Sequence, residues 1–303
     1  MELKIMFVGL ANAGKSSILL LLDDKADLIP TIPPTLGVNF KQFDIAGFKI
    51  VAWDVGGQLQ YRKKAISEYN RFFEGVNAIF YVISVEEPEN FGDSAEFMKE
   101  IVKILDLMKL EVPIAVCVHK MDPHRSQNPV ILKNLAAIQK KIAKVLKNRP
   151  FQSYKTSIYD PASILTAFRV TLQQILPHHD ILQERLQEIS EEFGSPMVLL
   201  LDEKNQLIGE WHAREDPRVN LDKFTETCQE FAKIISKRMS PEFCLLNLEA
   251  KSEILVVPFY PENRTFLFFI QFDAGVILPE GEIVGRLLNK RVVFAKLLTL
   301  IQE

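Results

Sequence analysis

The apolar positions of this chain follow one rhythm up to about residue 176 and a different one beyond it. In the first stretch, short continuous apolar runs alternate with segments of helical period. Residues 3–8 form a β-rich apolar run, and Ser17-Ile18-Leu19-Leu20 opens a helical one. Residues 39–46 and 48–54 read as two strands joined by a turn at Gly47. Residues 78–82 and 113–119 are continuously apolar, as strands buried on both faces should be. Between them, Phe97, Ile101, Leu105 and Met108 share one helix face. Further helices are expected over 130–146, with Lys133, Lys140, Lys141, Lys144 and Lys147 on a solvated face, and over 162–176. Alternation of this kind predicts a doubly wound α/β sheet, which takes ligands at the carboxyl ends of its strands.

Pro177-His178-His179-Asp180 reads as a linker, a helix stop followed by an Asp cap; the paired histidines lack a suitably spaced carboxylate or Cys for a metal site. After it the pattern changes. Leu182, Leu186, Ile189 and Phe193 line a helix that Gly194-Ser195-Pro196 ends. Residues 197–201 and 206–211 form a hairpin around Lys204-Asn205. Leu221, Phe224, Cys228, Phe231 and Ile235 recur at heptad-like spacing on a second helix. Strands over 243–248, 254–259 and 266–272 follow, the last two joined by Pro261-Glu262-Asn263, and a final helix is expected over 282–301. The order α-β-β-α-β-β-β-α describes an α+β domain over 177–303, after an α/β domain over 1–176.

Composition narrows the function without naming it. The chain has 303 residues, 48% of them hydrophobic, and a formal net charge of −3. Nothing in that balance favours nucleic acid or an anionic membrane as a bulk partner. Cys117, Cys228 and Cys244 are too few and too scattered for a disulfide framework or a zinc site, so a reducing, cytoplasmic setting is expected. No apolar stretch approaches the ~20 residues of a membrane span. The N-terminus opens directly on a strand, Glu2 excludes N-myristoylation, and the terminal Leu-Ile-Gln-Glu excludes a prenylation box. Any membrane recruitment is therefore expected to run through partners.

The chemistry is concentrated at the first strand-to-helix junction. Gly9 to Ser16 read GLANAGKS, which fits G-x-x-x-x-G-K-[ST], the phosphate-cradling P-loop. Strand, glycine loop and helix is the context this motif requires. Backbone N–H groups of Gly9, Asn12, Ala13 and Gly14 line an anion nest, and the helix through Ser16 and Ser17 adds its positive dipole end. Lys15 reaches the β- and γ-phosphates, and the Ser16 hydroxyl ligates Mg²⁺. Ala11 carries a side chain where some P-loops have glycine, so it can crowd the γ-phosphate and slow turnover.

Four further segments stand in the order of a known family. Trp53-Asp54-Val55-Gly56-Gly57-Gln58 resembles the D-x-x-G-Q segment of Ras-like GTPases in its Arf-like form. Pro34-Thr35-Leu36-Gly37 resembles the Arf-family effector loop, His119-Lys120-Met121-Asp122 the guanine-reading segment in its Rag form, and Thr156-Ser157-Ile158-Tyr159-Asp160 the last base-contacting loop. The first 176 residues thus resemble a Rag-like small GTPase, and the remainder resembles, by element order and length, the roadblock (longin-related) domain that Rag GTPases carry.

The resemblance implies GTP or GDP with Mg²⁺ as ligands. Asp122 would accept two hydrogen bonds from guanine, an edge adenine lacks. The Lys120 stem would lie along the base, and the Ile158 N–H would face its carbonyl, in a loop oriented by Ser157. His119 stands where Asn is usual and leaves affinity less certain than base preference; it also reads as a plain strand-end histidine. Asp54 and Thr35 would join Ser16 around Mg²⁺, with Thr31 a weaker candidate than Thr35. Gly57 would follow the γ-phosphate and Gln58 would orient the attacking water. Pro30, Pro33 and Pro34 are expected to keep their stretch extended. Arg62 reads as a surface switch residue, and no arginine finger is supplied in cis. The expectation is a switch with slow intrinsic hydrolysis, accelerated by an activating protein, reloaded by an exchange protein, and paired as a homo- or heterodimer through its second domain. A nucleotide-locked scaffold and an Arf-like trafficking GTPase remain the alternatives. The Leu221–Ile235 stripe is a candidate dimer contact or an internal packing face.

Overall fold

The computed structural model of the chain describes residues 2–23, 25–45, 48–176, 179–201, 207–213, 221–235, 244–248, 252–259, 266–273 and 285. Its contacts divide the chain into two compact units, Met1–Ile175 and Leu176–Glu303.

The first unit is a six-stranded sheet. Strand β1 (Glu2–Val8) leads into helix α1 (Lys15–Leu22). A 3-10 helix, Ala26–Thr31, precedes β2 (Val38–Ile45) and β3 (Phe48–Val55). Helices α2 (Leu59–Ser67) and α3 (Tyr69–Phe73) then lead to β4 (Val76–Ser84). The remaining pairs are α4 (Phe91–Leu107) with β5 (Ile114–His119), and α5 (Pro129–Val145) with β6 (Phe151–Thr156); α6 (Pro161–Gln173) closes the unit. The sheet order is β2-β3-β1-β4-β5-β6, parallel except for the antiparallel β2–β3 edge. This mixed α/β sheet fits the P-loop GTPase domain that the sequence resembles. β1 lies at its centre, so the loop after β1 opens where strand order reverses.

Burial explains why these segments take these forms. Every residue of β5 is buried, and β4 is nearly so, which is why both are continuously apolar. On α4, Phe97, Met98, Ile101 and Leu105 face the core, while Met108 caps the helix end as a partly buried neighbour. α5 starts where Asn128 accepts a hydrogen bond from the Val130 N–H, with Pro129 at the first position.

Several details depart from the sequence reading. Pro30 sits inside a 3-10 turn rather than an extended stretch, because its fixed φ suits that geometry; the cost is one missing i→i−3 donor. β6 is a half-exposed, polar edge strand. The Gly47 turn lies outside the described residues.

The second unit is a five-stranded antiparallel sheet of order β8-β7-β11-β10-β9. Helix α7 (His179–Phe193) precedes β7 (Met197–Leu201) and β8 (Leu207–His212), and α8 (Leu221–Ile235) precedes β9 (Cys244–Leu248), β10 (Ser252–Phe259) and β11 (Phe266–Asp273). Asp180 falls in the first turn of α7, not before it. α7 packs Leu182 and Leu186 onto Gly209, where a Cβ would lie 2.8 Å from Leu186 Cδ1. Gly209 pairs with Leu200, whereas α8 packs Phe224, Cys228 and Ala232 against Met197, Leu199 and Leu201. Adjacent strand residues point to opposite faces, so the two helices cover opposite sides of the sheet. Within the α8 stripe, Phe224 and Cys228 therefore belong to the domain's own core, with Phe231 partly buried beside them. The expected helix over 282–301, the turns around Lys204-Asn205 and Pro261-Glu262-Asn263, and Pro177 and His178 lie outside the described residues.

Candidate functional site

The loop after β1 requires its glycines. Gly9 has φ +147°, and a Cβ there would sit 2.1 Å from the Val82 carbonyl oxygen. Gly14 has φ +99°, and a Cβ would sit 2.2 Å from Cδ2 of His119. Between them Asn12 adopts a left-handed backbone, φ +59°, and Ala13 is buried. Lys15 begins α1 and is only 5% exposed; its Nζ donates to the Leu10 carbonyl at 2.8 Å. Burial lowers its pKa to about 8, with Asp54 opposing the shift and Arg62 adding to it. Ser16 and Ser17 follow in the first turn of α1.

Three oxygens from separate segments converge beside this loop. Ser16 Oγ donates to Asp54 Oδ2 at 2.5 Å. Thr35 Oγ1 donates to the same oxygen at 3.0 Å, and the two hydroxyls are 2.9 Å apart. Asp54, near the end of β3, is 3% exposed, and its Oδ1 is buried without a hydrogen-bond partner. Burial raises the Asp54 pKa against the opposing effects of Ser16, Lys15 and Thr35. An octahedral Mg²⁺ at ~2.1 Å from its ligands has neighbouring oxygens about 3 Å apart, so this hard-oxygen set fits such an ion. Thr31 is elsewhere: its hydroxyl donates to the Leu28 carbonyl on an exposed turn.

The segment after Asp54 lies against the loop. Gly56 N–H donates to the Gly37 carbonyl at 2.8 Å. A Cβ on Gly57 would fall 2.2 Å from the Ala11 nitrogen, so the two backbones touch. Gln58 is half-exposed at the N-cap of α2, where its Oε1 accepts from Gln60 Nε2 at 3.4 Å. Arg62 differs from expectation. It is half-buried, donates through Nε to the Gly57 carbonyl at 3.0 Å, and holds its guanidinium 5.2 Å from the centre of the Phe97 ring. A guanidinium engaged by both a carbonyl and a ring is not that of a free surface residue.

The ends of β5 and β6 form the other wall. His119 is 2% exposed, with Nδ1 3.0 Å from Thr156 Oγ1 and its far edge against Gly14. Burial, reinforced by Lys120 and opposed by Asp122, lowers its pKa to about 4, so the ring is neutral at pH 7. Lys120 has φ +64°. Ser157 Oγ donates to Asp122 Oδ1 at 2.6 Å and accepts from the Tyr159 N–H at 3.1 Å, with Ile158 half-exposed between them. One hydroxyl thus ties the Asp122 carboxylate to the 157–160 loop.

The sequence-derived residues are therefore brought into two clusters joined by the His119–Gly14 contact. Sequence reasoning passed over Glu87, which bonds Asn12. The available signal was an acidic pair, Glu86-Glu87, at the carboxyl end of an apolar strand, where ligands of such sheets sit.

Comparison with known proteins agrees with this geometry. A family described as the Gtr1/RagA G protein conserved region matches residues 4–232 and so runs beyond the first unit. An ADP-ribosylation factor-like protein 3 from Chlamydomonas reinhardtii is 37% identical over 123 residues, 40% of this chain and 64% of that protein. With its family match covering well over half its length, the chain belongs to the Gtr1/RagA G protein family.

Proposed function

We propose that this chain is a GTP/GDP switch that binds guanine nucleotide with Mg²⁺, hydrolyses GTP slowly by itself, and assembles through its second unit. The observation that carries this reading is the meeting of Ser16, Thr35 and Asp54 oxygens beside the P-loop, with Asp54 Oδ1 buried and unpaired. An orphaned buried carboxylate oxygen is costly unless an ion or ligand engages it. Ser16 and Thr35 would hold Mg²⁺ directly, and Asp54 directly or through water. When bound, the ion neutralises phosphate charge.

The chain's own residues do the rest. The loop N–H groups of Gly9 through Gly14 and the Lys15 ammonium bind the phosphates. Asp122, held by Ser157, accepts from the guanine edge, with Lys120 and Ile158 beside it. Gly57 follows the γ-phosphate, and Gln58 orients the attacking water. Thr35 and Gln58 lie on the two segments that γ-phosphate would order. Slow hydrolysis is expected because Arg62, the arginine beside Gly57, is committed to the Gly57 carbonyl and the Phe97 ring. Activating and exchange proteins would set the cycle. The second unit would act as a roadblock-like pairing domain, through a surface other than Phe224, Cys228 and Ala232, which its own sheet covers. A cytoplasmic protein brought to membranes by partners fits this role; no helix among the described residues is long and apolar enough to cross one.

Titration of purified protein with GTP, GDP, ATP and XTP tests the assignment. Tight binding of GTP and GDP, rejection of ATP, and a shift toward XTP in Asp122→Asn are expected. Equal uptake of ATP, or refusal of guanine nucleotides, overturns it.

A further inference from the structure

One side chain outside the family motifs touches both loops of the proposed switch. Glu87 stands just beyond β4, ahead of a short 3-10 turn, Pro88–Asn90. Its Oε1 accepts from Asn12 Nδ2 at 2.7 Å and from Lys120 Nζ at 3.3 Å. Its Oε2 accepts from Asn90 Nδ2 at 2.8 Å. Asn12 belongs to the phosphate loop and Lys120 to the base-reading loop. A single carboxylate therefore bridges them, with its second oxygen fixed by a third donor.

The backbone at both ends makes this bridge more than a rim ion pair. Asn12 and Lys120 have φ +59° and +64°. Left-handed angles in residues other than glycine persist where the surroundings hold them. Asparagine tolerates the region through its short side chain, whereas lysine has no such local compensation. Lys120 needs an outside anchor, and Glu87 supplies it. Glu86 assists at 3.9 Å from Lys120 Nζ, and is itself paired with Arg125. Exposed ion pairs contribute little when their side chains are free to move. Here the Glu87 side chain is 20% exposed, and three donors set its orientation.

We propose that Glu87 is a positioning residue that locks the phosphate loop to the base-reading loop and so slows nucleotide release. The proposal rests on the guanine-nucleotide reading above. Release requires the two loops to part, and the Asn12–Glu87–Lys120 bridge must break first. Without it, Lys120 is free to leave the left-handed backbone that aligns its stem with the base.

The test is the dissociation rate of a fluorescent GDP analogue from the full chain, chased with excess GDP. Glu87→Ala is expected to release it about fivefold to tenfold faster, in the range of coupled contact networks. Glu87→Gln keeps an acceptor of the same shape and is expected to restore most of the wild-type rate. Glu89→Ala, at an exposed neighbouring position, is the control and leaves the rate unchanged. Asn12→Ala approaches the bridge from its other end and serves where Glu87→Ala folds poorly. The double variant Asn12→Ala/Glu87→Ala is expected to release no faster than Glu87→Ala. Additive effects, or a wild-type rate in Glu87→Ala, overturn the proposal. A wild-type protein that never retains the GDP analogue overturns instead the nucleotide reading on which it rests.

Discussion

A methyl group on Gly14 would lie 2.2 Å from Cδ2 of His119, so the imidazole fills the only space a side chain there could take. The phosphate loop and the end of β5 are thus in contact through a histidine and a glycine. Gly14 also needs its φ of +99°. Gly14→Ala is expected to weaken GDP binding at least about tenfold, since overpacking costs ~1–3 kcal/mol and the backbone strain adds to it. Adding His119→Ala removes the collision but not the strain. Calorimetric titration should show the double variant binding more tightly than Gly14→Ala, yet more weakly than wild type. No recovery at all would deny the contact.

The same histidine gives the first unit a pH signature. Burial holds its pKa at about 4 in the folded state, against 6.5 for an ordinary histidine. Between those values the unfolded chain binds a proton that the folded chain refuses. Its contribution to stability is therefore flat above pH 6.5 and is lost as pH falls toward 4, by about 3 kcal/mol at most. Denaturant titrations at pH 7, 6, 5 and 4 should trace that loss, and His119→Asn should flatten it over the same window. An unchanged profile in His119→Asn would assign the acid sensitivity to the carboxylates.

Asp54 offers a cleaner separation of stability from ion binding. Its Oδ1 is buried and unpaired, and burial raises its pKa, so the ionised form is costly without a cation. Asp54→Asn keeps an acceptor for Ser16 and Thr35. Without nucleotide and Mg²⁺, it is expected to hold wild-type stability within about 1 kcal/mol. Chelating Mg²⁺ should speed GDP release from wild type and leave Asp54→Asn, already fast, unaffected. A variant that still responds to chelation would place the ion elsewhere.

How much of this was legible in the chain depends on where each contact partner lies. Strands β4 and β5 announced themselves because both faces are buried. β6 did not: its polar FQSYKT run sits at the sheet edge, where Gln152, Ser153 and Lys155 are exposed and only Thr156 is buried. The P-loop, Asp54 and Asp122 were readable because their spacing is local. The Asn12–Glu87 bond and the Arg62 tether were not. The first joins residues 75 apart, and the second depends on Phe97, from another helix, meeting the same guanidinium that bonds the Gly57 carbonyl. Heptad spacing on α8 could equally serve a partner or a core, and packing with Met197 and Leu199 places Phe224 and Cys228 in the core.

That packing makes a stability prediction. On α8, Phe224 is 6% exposed and Cys228 is fully buried. Phe224→Ala is expected to destabilise the second unit by about 3–5 kcal/mol, the usual cost of deleting a buried aromatic. Hydrogen exchange would find the loss in α8 and β7, with α4 and β5 of the other unit protected as before. A soluble, fully protected α8 with altered oligomeric mass would instead make the stripe an interface.

Gln58 is the residue on which cycling of the proposed switch is expected to turn. It stands at the N-cap position of α2 with an extended backbone and no side-chain cap bond, and its Oε1 accepts a long, 3.4 Å bond from Gln60. The side chain is therefore free to swing toward a water in line with the γ-phosphate, while Gly57 already lies against Ala11. Leucine matches its size but cannot orient water. In single-turnover phosphate release from preloaded GTP, wild type should hydrolyse slowly but measurably, and Gln58→Leu should be slower by about tenfold or more at equal GTP affinity. Equal rates would remove Gln58 from the chemistry. If wild type held GTP tightly for hours without releasing phosphate, Ala11, whose backbone nitrogen lies against Gly57, would be the place to look, and the protein would be a nucleotide-locked scaffold.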